Sequence, residues 1–175
     1  MSSELSSVIE AHLADVPDFP VEGVVFKDIT PLLQDPGAFR AVIEGMAARY
    51  RGAVDVVAGI ESRGFIFGAA LAYELGLGLV LIRKEGKLPR ETHSVSYELE
   101  YGNATIEVHH DSLTEGQRVL LIDDVLATGG TAAAAATLVE ACGATVAGIA
   151  VILELSFLGG RDALGGRPIW ALHTV

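Results

Sequence analysis

Asp123 and Asp124 stand side by side at the end of the apolar run Val119-Leu-Leu-Ile122, and the chain then turns through Thr128-Gly129-Gly130-Thr131. Adjacent carboxylates can accept hydrogen bonds from the cis-diol of a sugar, an ion-to-hydroxyl pairing stronger than a neutral one. Two glycines let backbone N–H groups approach a phosphate with no Cβ in the way, and a helix starting there points its positive end at the anion. The hydroxyls of Thr128 and Thr131 add donors. An Asp-Asp pair before Gly-Gly would by itself also fit an ordinary strand-to-helix connection. The full thirteen-residue order from Val119 to Thr131 places strand, diol reader, phosphate loop and helix in consecutive register, which points to a phosphorylated sugar.

A second group, Glu61-Ser62-Arg63-Gly64-Phe65, follows another apolar run. A fixed cation followed by a glycine and a helix start suits a pyrophosphate. Ser-Arg-Gly is a weak signal alone and gains weight beside the first motif. The remaining reactive side chains lack partners in the sequence. Cys142 sits at an apolar helix end and reads as a buried thiol, and His93, His109 and His110 lack metal-type spacing with acidic residues. No Gly-x-x-x-x-Gly-Lys-Ser/Thr pattern occurs, which excludes a classical nucleotide kinase.

The elements that must carry these groups follow from hydrophobic periodicity. Ser3 to Leu13 predicts an amphipathic helix closed by Pro17 and Pro20, followed by a loop-like stretch from Val21 to Pro31. Asp35-Pro36 starts a second helix that buries Phe39, Val42, Ile43, Met46 and Tyr50. Strands are expected at Val54–Ile60, Leu77–Ile82, Arg118–Val125 and Val146–Leu153, with helices at Gly64–Leu75 and Thr131–Cys142, the last stopped by Gly143. Residues 91–110 are polar with alternating segments. Such an alternation of apolar strands and helices predicts a parallel α/β sheet, whose ligands bind beyond the carboxyl ends of the strands. Asp123 and Asp124 fall at such an end.

At 175 residues the chain suits one domain, spanning 1–175. Twelve basic against twenty-three acidic residues give a net charge of −11, which argues against a nucleic-acid partner. An anionic ligand therefore needs local positive charge. Arg83, Lys84, Lys87 and Arg90 put four cations within eight residues, and a divalent metal would supply more. A single cysteine rules out an intrachain disulfide, and with no signal peptide visible the expected location is cytoplasmic. No apolar run approaches the roughly 20 residues that span a bilayer, so no membrane association is expected. Half of the residues are hydrophobic, which fits surface buried in an oligomer.

The stretch from Val119 to Thr131 resembles the phosphoribosyl-pyrophosphate signature of the type I phosphoribosyltransferases. Together with Gly23–Ile29, Ile82–Pro89 and Ser96–Gly102 in the same order, the chain from about residue 17 to Arg161 is similar to the adenine phosphoribosyltransferase family. The resemblance implies the α/β fold of that type: a mostly parallel central sheet flanked by helices, with a small hood or flexible loop over the active site at about residues 84–110. It implies transfer of a phosphoribosyl group from 5-phosphoribosyl 1-pyrophosphate to adenine, giving AMP and diphosphate in purine salvage. A homodimer is implied too.

Carried over by position, the resemblance puts Asp123 and Asp124 on the ribose hydroxyls and Ala127, Thr128, Gly129, Gly130 and Thr131 on the 5′-phosphate. Arg63, Lys84 and Lys87 would meet the pyrophosphate, Arg63 stabilising it as it leaves, and the Glu61–Ser62 peptide would be cis. The purine would stack between Phe26 and Leu155, its edge read by the backbone of Val25 and Lys27. The family often has arginine in place of Lys27, a change that backbone recognition would not feel. Glu100 and Tyr101 lie in the hood, where Glu100 would take the purine proton; the alternative, a solvated acid beside Glu98 and Glu107, gives way to that role because Tyr97 and Tyr101-Gly102 flank it. Mg²⁺ is the implied cofactor, held mainly by substrate pyrophosphate and ribose with Asp123 and Asp124 nearby. Two other functions fit the shared sugar-phosphate motif: transfer to hypoxanthine, guanine, xanthine or orotate, and a regulator that binds the ligand without catalysis. The second typically needs a nucleic-acid surface that a chain of charge −11 does not offer.

Overall fold

The computed structural model describes residues 2–98 and 102–175. Glu100 and Tyr101, both expected in the site, lie outside the described residues. In chain order the elements are α1 (Ser2–Glu10), β1 (Ala14–Pro17), β2 (Val25–Asp28), α2 (Thr30–Gln34), α3 (Pro36–Tyr50), β3 (Val56–Ile60), α4 (Gly64–Leu75) and β4 (Gly78–Lys84). They continue with β5 (Thr92–Glu98), β6 (Asn103–His109), β7 (Arg118–Leu126), α5 (Gly130–Ala141), β8 (Thr145–Glu154) and β9 (Ile169–Thr174).

Among the described residues seven strands form one sheet in the order β5-β6-β4-β3-β7-β8-β9. The five strands from β4 to β9 run parallel, and β6 joins β4 antiparallel. Every residue of β3 is buried, as expected of a parallel strand covered on both faces. Alternate side chains divide between two cores. Ala58, Ile60, Val119 and Leu121 meet α5 on one face, through Ala135, Leu138 and Val139. Val57, Leu120, Ile122 and Ile152 meet α1, α3 and α4 on the other, through Ile9, Met46, Phe67 and Leu71. β3 and β7 are therefore central strands, and their carboxyl ends open between helices.

Helix starts obey local chemistry. Asp35 caps α3 by accepting from the Ala38 N–H at 2.7 Å, and Pro36 occupies the first turn. Gly143, at φ +78°, stops α5 where any other residue would be strained.

The loop-like reading of 21–31 is corrected. Val25–Asp28 is a strand, paired antiparallel with Ala14–Pro17 in a separate two-stranded ribbon, and Thr30–Gln34 is a short helix. A ribbon this short has no face of its own to bury, so it leaves no alternation in the sequence. Helix α1 ends at Glu10, three residues before the expected Leu13, and a turn at 11–12 leads into that ribbon. The segment read as a hood resolves in part into a hairpin: β5 and β6 pair along their length and extend the main sheet at its edge. Strand β9 had no sequence prediction; its burial is largely intermediate, with only Leu172 and His173 buried.

Candidate active site

Three adjoining cavities gather at the carboxyl ends of β3 and β7. The first, about 270 Å³, is lined by Glu61, Ser62, Arg63, Lys84, Asp123, Asp124 and Thr131. A second, about 80 Å³, runs along the backbone from Val125 through Thr128 and Gly129 to Ala132 and shares Asp123 and Thr131 with the first. The third, about 290 Å³, has mainly apolar walls (Val24, Val25, Phe26, Val125, Ala127, Leu153 and Leu155), with Lys27, Arg63 and Asp124 at its polar side. Asp123 and Asp124 thus stand where a polar cavity, a glycine-rich cradle and an apolar slot meet.

The acid pair is held by its neighbours in the fold. Asp124 is buried and forms an ion pair with the Arg63 Nε. Gly64, which follows Arg63, makes that approach possible: a Cβ there would lie 2.5 Å from the Ile122 carbonyl oxygen. The Asp124 N–H donates to Asp123 Oδ1 at 2.8 Å. Even so, burial and then the charge of Asp124 push the Asp123 carboxyl well above the ordinary carboxylate range. The remaining Arg63 donors stay available, since the side chain is 44% exposed. Its guanidinium also sits 5.8 Å from the centre of the Phe26 ring, so one cation connects the acid pair to the apolar slot.

Two helices start at the site without side-chain caps: α4 after Arg63 and α5 after Gly129. In α4 the Phe65 and Ile66 N–H groups already donate to the Ser62 and Arg63 carbonyls, so the start of α5 is the one that offers its first-turn N–H groups to an anion. Gly129 has φ +83°, and a Cβ on it would run into the Gly160 carbonyl oxygen. In return a Cβ on Gly160 would run into the Ala127 carbonyl oxygen. The cradle is therefore shaped from behind by the loop after β8. That loop is tied down by Arg161, which donates to buried Glu154 through Nε at 2.6 Å and the second guanidine nitrogen at 2.7 Å.

The structure brings together Arg63, Lys84, Asp123, Asp124, Ala127, Thr128, Gly129, Gly130 and Thr131, and places Val25, Phe26, Lys27 and Leu155 around one slot. The Glu61–Ser62 peptide is cis. The four-cation cluster is corrected. Arg83 pairs with Glu61 at 3.2 Å, Arg90 pairs with Asp111, and Lys87 is exposed in the turn after β4, away from the cavity walls. Burial pushes the Glu61 carboxyl up, but the Lys84 N–H and Arg83 outweigh it and leave that carboxyl below its ordinary value. The Lys27 ammonium is taken up by Asp15 at 2.7 Å across the ribbon. Cys142 is half-buried, and burial pushes its thiol up, away from nucleophile chemistry. His93 and His110 stack at 4.5 Å well away from the acid pair's walls. Sequence reading missed Leu153 and Gly160 as site residues. Only Gly160 left a signal, as half of a Gly159-Gly160 pair near Arg161.

Asp123 and Gly160 generate two expected outcomes. Folding raises the Asp123 carboxyl, so its ionisation opposes folding: this contribution to stability is present at low pH and lost as pH rises toward the folded value. Asp123→Asn cannot ionise. Its melting temperature should exceed the wild type's at pH 7, with the gap closing below about pH 4; a variant no more stable at pH 7 in calorimetry refutes the argument. Gly160→Ala should lose about 1–3 kcal/mol in urea titrations, because backbone carbonyls cannot yield to the new methyl.

A family model for the phosphoribosyl transferase domain matches residues 30–159. An adenine phosphoribosyltransferase of Salinispora tropica is 56% identical over 174 residues, covering 98% of this chain and 92% of its own. The crystal structure of an adenine phosphoribosyltransferase from Thermoanaerobacter pseudethanolicus superposes with a TM-score of 0.92 at 49% identity, covering all of both chains. That of the Saccharomyces cerevisiae enzyme, in complex with adenine and D-2,5-dideoxy-2,5-imino-altritol 1,6-bisphosphate, gives 0.93 at 38% identity over 97% of this chain and 99% of the other. With matches of this extent on a site of this shape, the chain belongs to the phosphoribosyltransferase family, among its adenine phosphoribosyltransferases.

Proposed function

We propose that this protein transfers the phosphoribosyl group of 5-phosphoribosyl 1-pyrophosphate to adenine, releasing AMP and diphosphate in purine salvage. The observation that carries the proposal is the meeting of three chemically distinct cavities at one acid pair. A phosphoribosyl donor and a purine need those three environments around a ribose. The imino-altritol bisphosphate and adenine held by the yeast relative are ligands of the same kind.

Asp123 and Asp124 accept from the ribose hydroxyls and fix the sugar beneath the base. The backbone from Ala127 to Gly130, with the Thr128 and Thr131 hydroxyls, holds the 5′-phosphate at the start of α5. Arg63 and Lys84 meet the pyrophosphate and stabilise the charge that builds on it as the anomeric bond breaks. The purine lies in the slot between Phe26 and Leu155, with the backbone of Val25 and Lys27 reading its edge. Because Asp15 occupies the Lys27 ammonium, the arginine-to-lysine difference from many relatives leaves that recognition unaffected. Glu100 takes the proton that the purine imidazole loses as its nitrogen attacks, and Tyr101, next to it in the chain, is a substrate-binding residue.

Asp123 and Asp124 are hard oxygen donors, and among the described residues no cluster of three or more His, Cys, Asp or Glu side chains gathers to hold a metal. That donor set fits Mg²⁺ carried by substrate phosphates with one or two carboxylates at hand. When bound, Mg²⁺ supplies charge neutralisation on the pyrophosphate. The protein works as a single-domain homodimer in the cytoplasm, and no described helix is long and apolar enough to cross a membrane.

Purified protein given 5-phosphoribosyl 1-pyrophosphate, Mg²⁺ and one base at a time should convert adenine to AMP and leave hypoxanthine, guanine and orotate untouched. Asp123→Asn/Asp124→Asn should abolish product. A different nucleotide would overturn the purine assignment, and no nucleotide would overturn transferase activity. Glu100→Gln should slow turnover by about 10²- to 10⁴-fold; a rate within threefold of wild type removes Glu100 from proton transfer.

A further inference from the structure

We infer that Tyr97 is a positioning residue of the 5′-phosphate cradle, its hydroxyl holding the Thr131 side chain as a donor toward the phosphate. Tyr97 lies on the edge strand β5, far along the chain from the phosphate loop, yet its Oη is 3.0 Å from Thr131 Oγ1. The ring rests against the loop as well. A Cβ added at Gly130 would be 3.5 Å from Tyr97 Cδ2 and 3.7 Å from the Glu98 carbonyl oxygen. Strand β5 packs along α5, and Tyr97 is half-buried against the core beneath it.

Without ligand either hydroxyl can donate to the other. A phosphate removes that freedom, because an ionised phosphate oxygen only accepts. Each hydroxyl has one proton and two lone pairs. Once Thr131 gives its proton to the phosphate, the Tyr97 O–H must donate to Thr131 Oγ1. The two bonds then polarise one another in a short chain. Tyr97 also selects the threonine rotamer, since a helical threonine otherwise divides between two. The Tyr97 hydroxyl thus makes the edge hairpin part of the phosphate site, three residues before Glu100 in the chain.

The role runs through Thr131, whose residue borders the glycine cradle and the cavity of Arg63 and Lys84 but not the apolar slot. The inference rests on the phosphoribosyl reading of the site, and the test separates the two. Calorimetric titration compares wild type and Tyr97→Phe, which keeps the ring and its packing, against ribose 5-phosphate, Mg-pyrophosphate and adenine. The variant should bind ribose 5-phosphate about threefold more weakly, less than a whole hydrogen bond, because the hydroxyl pair already exists without ligand and only its fixed direction and rotamer are lost. Its affinity for adenine should be unchanged, its loss toward Mg-pyrophosphate should be smaller than that toward ribose 5-phosphate, and its thermal midpoint should fall by no more than about 4 °C, the effect of one part-buried hydrogen bond. In a Thr131→Val background, Tyr97→Phe should have no further effect on ribose 5-phosphate binding. Unchanged ribose 5-phosphate affinity in Tyr97→Phe, a loss spread over all three ligands, or additive losses in the double variant would each overturn the positioning role. Failure of the wild type to bind ribose 5-phosphate would overturn the phosphoribosyl reading itself, and this inference with it.

Discussion

The ion pair between Arg63 and buried Asp124 is the constraint on which the rest of the site turns. A carboxylate at the end of a central strand is costly unless a cation and hydrogen bonds compensate it. Arg63 supplies the cation from the neighbouring strand's end. That geometry exists because β3 and β7 are adjacent and parallel, in register from Val56↔Val119 to Gly59↔Ile122, and because Gly64 lets α4 start against the Ile122 carbonyl. The pair then sets the state of Asp123 beside it, whose carboxyl is raised mainly by burial and secondarily by Asp124. The polar cavity, the glycine-rich cradle and the apolar slot all touch this point.

A chain of net charge −11 that takes a highly anionic substrate has to localise its attraction. It does so with few free cations. Arg83, Arg90, Arg118, Arg161 and Arg167 are each committed to a carboxylate. What faces the polar cavity with positive charge is Arg63, Lys84 and the uncapped start of α5 at Thr131. Partial charges fixed in the backbone need no reorganisation when the ligand arrives and are not lost to competing acids on the surface.

The glycines of the cradle do two jobs that the sequence merges. Gly130 opens the front of the loop to a ligand and to the Tyr97 ring, whereas Gly129 and Gly160 let two backbones close up behind it. A loop gripped from behind keeps its N–H groups aimed without help from the ligand. That rigidity is what a phosphate site requires.

Much of this was legible in one dimension. The thirteen residues from Val119 to Thr131 displayed strand, acid pair, phosphate loop and helix because those parts are contiguous, and buried parallel strands announce themselves as apolar runs. Helix α3 carried its cap, Asp35, and helix α5 its stop, Gly143, in adjacent residues. The ribbon of β1 and β2 was not legible, since two short exposed strands leave no periodicity. Charge spacing alone did not distinguish Lys84, which lines the cavity, from Arg83 and Arg90, whose charges are cancelled by Glu61 and Asp111; only the family resemblance singled it out. The sequence by itself therefore determined which chemistry the chain carries, because each motif is a local run with its own conformational preference. Only the tertiary structure decided which charges remain free, which glycines back the loop and that Tyr97 reaches Thr131. Those are pairings between distant residues, created when the sheet brings its strand ends together.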